Sequence, residues 1–302
     1  MKRFYSHGKL LLSAEYLVLD GAIGLAIPTK LGQEMTVEAN ENERLEWTSY
    51  DREDRIWFRA SFDLENFDYI VFDGEEETAE TLKKIFEASR EMKPSFWEEA
   101  EGAIVRTFLE FDRSWGLGSS STLINNIAQW VNTDPFQLLF KSMGGSGYDI
   151  ACANASGPLF YQVLDQKPKA WLVEFDPSFK DELYFVHLNR KQSSAESIAL
   201  YAGMKQLEPK HFELSNKLSR EMFQSQSSKN FGELMRAHEL LMASVLNQKP
   251  IKEELFTDFQ GEIKSLGAWG GDFVLVCGSG GVRSYFEDKG YPTVISYAEM
   301  VL

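Results

Sequence analysis

Apolar runs separated by short polar stretches organise the first third of the chain. KLLLSAEYLVL (9–19), GLAIPT (24–29), QEMTVEA (33–39), RIWFRASF (55–62) and FDYIVFD (67–73) each predict a strand. Segment 76–92 predicts a helix. SFWEEAEGAIVRTFLEF (95–111) predicts a strand or strand pair ending near Phe111. The pattern then changes period. Leu123, Ile124, Ile127, Trp130 and Val131 share one helical face. Thr133, Asp134 and Pro135 open a second, short helix, because proline fits a first helical position, and Gly144 and Gly145 end it.

The second half repeats the mixture in another order. GPLFYQV, KAWLVEF and ELYFVHL predict strands, and the chain from Ser194 to about Ser265 predicts mostly helix. FVLVCG predicts a buried strand, GVRSYFEDK a helix and TVISYA a closing strand. Strands and helices mixed, then helices followed by strands, point to an α+β protein. Two lobes are expected, residues 1–170 and 171–302, with the boundary falling within 165–185.

Composition narrows the classes of partner. The 302 residues are 43% hydrophobic, enough for a substantial core, and 46 acidic against 31 basic residues give a formal charge of −15. That charge opposes nucleic acid and anionic membranes, but not a small anion held in a locally positive site. Cys152 and Cys277 lie far apart in apolar runs, as small buried hydrophobes do. The histidines (His7, His187, His211, His238) show no metal-ligand spacing. No apolar stretch reaches the roughly 20 residues of a membrane span. Ser13 and Glu15 interrupt the N-terminal apolar run that a signal peptide would need. The expectation is a soluble cytoplasmic protein.

Four segments carry candidate chemistry. WGLGSSSTL (115–123) runs directly into a helix start, where unpaired backbone N–H groups and the helix dipole favour an anion. Glycine lets the backbone approach a ligand closely. It is neither a Walker A loop nor a dinucleotide fingerprint, and a plain capped helix fits the local pattern equally well. HGKLLLSAEYLVLDG (7–21) places Lys9 before an apolar strand, either as a solvated edge lysine or at the mouth of a phosphate site. In GGSGYDIACANASG (144–157) Asp149 is the single charge among small residues, either a helix cap or a catalytic carboxylate. KSLGAWGGDFVLVCG (264–278) is a glycine-rich turn entering a strand.

In this fixed order the segments resemble the GHMP kinases, the superfamily of galactokinase, homoserine kinase, mevalonate kinase and phosphomevalonate kinase. The first motif stands as HGKLLLSAEYLVLDG, the second as DRSWGLGSSST, the aspartate segment as GSGYDIACA and the third motif as KSLGAWGGD. The resemblance spans residues 7 to about 278. Glu15-Tyr16, GSGYDIA and the ending GGD (270–272) resemble phosphomevalonate kinases most, and LNRKQSSAES (188–197) is similar to their substrate-side turn. His7 replaces the first motif's proline, Ala14 its glycine, and Trp269 a glycine of the third. The tryptophan either narrows the phosphate side of a pocket or fills a packing gap. Where mevalonate kinases carry a Mg²⁺-binding glutamate, an ungapped count reaches Leu138, with Gln137 beside it.

The resemblance implies a two-lobed fold, with an N-terminal lobe like ribosomal protein S5 domain 2 and a ferredoxin-like C-terminal lobe. It implies ATP and Mg²⁺ as cofactors, a small-molecule acceptor and, as an open option, a homodimer. Phosphomevalonate ranks first as acceptor, mevalonate second, and sugars or homoserine behind them. A decarboxylase of the same superfamily and a non-catalytic ligand-binding relative are the alternatives. By the same resemblance Trp115, Gly116, Leu117, Gly118, Ser119, Ser120 and Ser121 wrap the ATP phosphates, with Ser120 on Mg²⁺. Gly267, Ala268, Gly270 and Gly271 approach from the second lobe. Asp149 orients or deprotonates the attacking oxygen and Lys9 neutralises charge beside it. Glu15, Ser146, Gly147, Ser193 and Ser194 face the substrate.

Overall fold

The computed structural model describes residues 1–190, 201–203, 207–267, 269 and 271–302. These pack as two compact units, each assembled from separated stretches of chain: 1–8, 31–113 and 117–154 in one, 9–30, 114–116 and 155–302 in the other.

In the first unit lie most of β1 (Lys2–Leu11), the later part of β2 (Gly24–Ala39), β3 (Arg44–Tyr50), β4 (Ile56–Asp63), β5 (Tyr69–Asp73) and β6 (Ala103–Leu109). They form a sheet in the order β5-β4-β3-β6-β2, with β1 also on β2. β3 and β6 run parallel, while the β2–β6, β3–β4 and β4–β5 pairs are antiparallel. The helices α1 (Glu76–Met92), α2 (Pro94–Glu98), α3 (Ser119–Val131), α4 (Pro135–Ser142) and α5 (Tyr148–Ala153) complete the unit. Leu82, Ile85 and Phe86 of α1 turn one face into a core with Trp47, Phe58, Phe62, Trp97 and Trp130. The first part of 95–111 is helical where a strand was expected. Pro94 occupies the first turn of α2, where its missing N–H has no partner to lose, and Trp97 plugs the core.

The second unit holds β7 (Leu159–Leu164), β8 (Lys167–Leu172), β9 (Leu183–His187), α6 (Pro209–Gln224), α7 (Ser228–Leu246) and α8 (Ile251–Leu255). β10 (Glu262–Ser265), β11 (Phe273–Cys277), α9 (Val282–Asp288), β12 (Val294–Ser296) and α10 (Tyr297–Met300) follow. β7 pairs with the first residues of β2 and with β8, and an antiparallel sheet runs β10-β11-β9-β12. β10 is a strand at the end of the stretch expected to be helical, and residues 191–200 and 204–206, which overlap that stretch, lie outside the described residues.

The apolar run 9–19 does not continue as one strand. β1 stops at Leu11, Ala14 and Tyr16 take positive φ (65° and 60°), and a 3₁₀ turn covers Leu17–Asp20. Ala14, Leu17 and Ala22 instead pack with Leu218, Leu241, Met242 and Trp269. The observed mixture of helices with these two sheets is the expected α+β class.

Candidate active site

The start of α3 is built by glycine. Gly118 is its N-cap at φ 90°, and no side chain caps the first turn. That turn also carries no acidic residue. Ser121 donates its hydroxyl back to Gly118 O at 2.9 Å, whereas Ser119 is half-buried and Ser120 is exposed. Leu117 is fully buried and anchors the entry. A helix start with a glycine cap, no side-chain cap and no acid in its first turn suits an anion, through its backbone donors and dipole.

α5 packs on α3. Gly147, at φ 86°, is its N-cap, and Asp149 follows in the first turn, half-buried. Asp149 Oδ1 accepts from Ile150 N at 3.0 Å, and Ser146 is buried just before. The first unit therefore brings the helix carrying Ser119, Ser120 and Ser121 against the one carrying Asp149.

The second unit brings together three pieces of the other motifs. Lys9 Nζ donates to Gly116 O at 2.7 Å. A Cβ on Gly116 would lie 2.3 Å from Asp272 Oδ2, so the Asp272 carboxyl sits against the glycine backbone, itself at φ 63°. Asp272 is buried and held by backbone bonds on both sides, N–H to Arg190 O and O from Leu188 N, each 2.8 Å. Trp115 is buried edge-on against Phe273, 5.6 Å between ring centres. Gly267 has open space where a side chain would stand, and Gly271 is buried. Ala268, Gly270, Ser193 and Ser194 lie outside the described residues.

Glu15 is buried at 1% exposure among charged groups that sequence reasoning did not connect. Lys264 Nζ, fully buried, donates to Glu15 Oε1 and, at 2.8 Å, to Ser265 O. His238 Nε2 lies 3.5 Å from Glu15 Oε2 and accepts from Ala14 N at 2.8 Å. An accepting Nε2 carries no proton, so the ring is neutral with its hydrogen on Nδ1. Glu239 accepts from Ser265 N at 3.0 Å, Ser265 Oγ at 2.9 Å and Ile251 N at 3.2 Å. Burial pushes both carboxyl groups above the usual range, opposed by the Lys264 charge. Burial first, and Lys264 second, hold the His238 ring well below its ordinary value. The lysine of the K-x-x-G pattern was the available signal for this cluster.

The motif departures also have a place. Ala14 adopts a positive φ of 65°, the conformation a glycine there adopts without strain. Trp269 is 6% exposed in the apolar cluster with Leu17 and Leu241, and its backbone N–H donates to Tyr16 Oη at 3.0 Å. It fills a packing gap. Leu138 is fully buried in the first core and offers no metal ligand. Among the described residues no group of three or more His, Cys, Asp and Glu is arranged to hold a metal ion, and no helix is long and apolar enough to cross a membrane.

No protein-family model matches the sequence, and no curated protein is detectably similar to it. Solved structures are. Methanococcus jannaschii mevalonate kinase superposes with a TM-score of 0.69 at 15% identity, over 95% of this chain and 94% of that one. Streptococcus pneumoniae phosphomevalonate kinase, in complex with phosphomevalonate and AMPPNP, gives 0.65 at 17% identity, over 100% and 98%. Lactococcus lactis galactokinase complexed with galactose gives 0.63 at 14% identity, over 98% and 92%. All three are GHMP kinases, and coverage of both partners is nearly complete. The chain has the GHMP kinase fold.

Proposed function

We propose that this protein is a GHMP-type phosphotransferase that moves the γ-phosphoryl group of ATP to an oxygen of a small acid or phosphate ester. The observation that carries the reading is the start of α3, glycine-capped and with no acidic residue in its first turn, with the helix bearing Asp149 packed against it. Phosphomevalonate is the first candidate acceptor and mevalonate the second. The motif details of the first and aspartate segments support that order, and a solved phosphomevalonate kinase of the same fold spans the whole chain.

The protein's part in such a transfer is positioning and charge neutralisation. The backbone N–H groups of Ser119, Ser120 and Ser121 hold phosphate oxygens, and Trp115, Gly116, Leu117 and Gly118 shape the loop before them. Lys9 supplies positive charge and Asp149 orients the acceptor oxygen. With an alcohol acceptor Asp149 also takes its proton; with a phosphate acceptor that step is dispensable. Mg²⁺, when bound, would supply neutralisation of the phosphates' negative charge. The exposed Ser120 hydroxyl at the helix start fits as its protein ligand, and the absence of an acid at Leu138 fits an ion that keeps phosphate and water ligands.

The test is ADP release with Mg-ATP and mevalonate, phosphomevalonate, homoserine or galactose, side by side. Turnover with one acceptor supports the reading. No turnover with any of them, and no rise in melting temperature with Mg-ATP, overturns it. Release of CO₂ would identify a decarboxylase instead.

A further inference from the structure

Helix α3 is buried on nearly all sides, and two adjacent asparagines, Asn125 and Asn126, are fully buried in its interior. Asparagine is a poor helix former, and its amide is costly to bury unless its donors and acceptors are met. Here they are met by directional bonds. Asn125 Nδ2 donates to Ser6 Oγ at 2.8 Å and to Asn154 Oδ1 at 3.0 Å, while Asn125 Oδ1 accepts from Asn154 Nδ2 at 2.6 Å. Ser6 Oγ donates onward to Asn126 Oδ1 at 2.7 Å, and Asn126 Nδ2 donates to Gln33 O at 2.9 Å. Thr122 Oγ1, nearer the helix start, donates to Gln33 Oε1 at 2.8 Å.

One face of this network is a reciprocal amide pair between α3 and the residue that ends α5. Asn154 is the C-cap of the helix bearing Asp149. The pair sits six residues beyond Ser119 and five beyond Asp149. At helical rise these are about 9 Å and about 7.5 Å. Both groups lie N-terminal to the same fixed point by about a turn and a half. Apolar contacts between α3 and α5 tolerate sliding, whereas two antiparallel amide bonds do so only by breaking.

We propose that Asn125 and Asn154 are positioning residues that set the Asp149 carboxyl against the phosphate-binding start of α3. The inference rests on the phosphotransferase reading above. The clamp touches neither phosphate nor acceptor. Its loss changes the geometry of the transfer rather than the binding of ATP, and displacements of about 1 Å at a reacting centre cost up to about 10²-fold in rate.

The experiment compares wild type, Asn154→Ala, Asn125→Ala and the double variant, using whichever of the four acceptors the wild type phosphorylates. Asn154 is exposed, so its truncation leaves the fold in place even if Asn125→Ala weakens it. The expected result is a kcat about tenfold lower in each single variant. KM for ATP stays within about threefold, and the double variant is no slower than the poorer single one, because both break one interaction. Wild-type kcat per folded molecule in Asn154→Ala, with only the melting temperature lowered, overturns the clamp and leaves the phosphotransferase reading intact. A wild-type chain inert toward every acceptor removes that reading and the clamp together.

Discussion

Lys9 donates its ammonium to the carbonyl of Gly116, 2.7 Å away and 107 residues along the chain. The lysine of the first motif is thus tied to the first glycine of the second. The bond orients the amine while leaving its charge uncancelled by that partner. Lys9→Met removes the charge and keeps most of the apolar stem. Expected is a kcat lower by about 10²–10³, with ATP affinity less affected. Steady-state kinetics against both substrates checks it.

Gly116 is a second place where geometry is strict. A methyl group there would stand 2.3 Å from Asp272 Oδ2, at a φ of 63° that L-residues adopt only with strain. Gly116→Ala is expected to cost about 1–3 kcal/mol in stability. Adding Asp272→Ala removes the colliding carboxyl and recovers part of the loss. Urea unfolding of both variants measures the difference.

Asp149 is half-buried at the start of a short helix, so replacing it with its amide disturbs little packing. Asp149→Asn is expected to lower kcat by about 10²–10⁴ without changing the melting temperature. Full activity in the folded variant would remove Asp149 from the mechanism.

Lys264 and Glu15 form a buried pair. Removing one partner leaves the other charged and desolvated. Lys264→Met is expected to destabilise by about 3–5 kcal/mol. Lys264→Met with Glu15→Gln removes both charges, and chemical denaturation should find the double variant more stable than Lys264→Met alone.

His238 gives stability a pH dependence of definite sign. Its folded-state value is depressed by burial, so below about 6.5 the unfolded chain takes up a proton that the folded chain refuses. Its contribution is complete above that pH and is lost as pH falls through the window down to the folded value. Glu15 and Glu239, raised by burial, act in the opposite direction above their ordinary range. The comparison with His238→Gln therefore isolates the histidine. Between pH 6.5 and 5 the variant should lose stability less steeply than wild type, as read by denaturant midpoints at each pH.

The sequence carried the helical period of α3, the glycine that starts it and the small-residue setting of Asp149, because each is a local property of a few neighbouring residues. It also carried the α+β class, through the order of strand and helix patterns. The run 9–19 misled for a physical reason. Apolar residues read as a strand whether they alternate across a sheet or turn inward singly, and here Ala14 and Leu17 turn into a cluster with helical residues such as Leu218, Leu241 and Met242. Trp269 admitted two readings until its neighbours were known.

Other features belong to the tertiary structure alone. Asn125 and Asn126 stand beside apolar positions and would suit a solvated helix face equally well, yet both are fully buried. What makes that burial tolerable is a set of partners at positions 6, 33 and 154. Glu15 and Lys264 are 249 residues apart, and the lysine of the K-x-x-G pattern, though visible, does not say which distant carboxylate it meets. Local spacing determines helices, turns and the chemistry a segment offers. The energy of a buried polar group depends on which distant atoms replace its water, and only the folded chain brings those atoms to it.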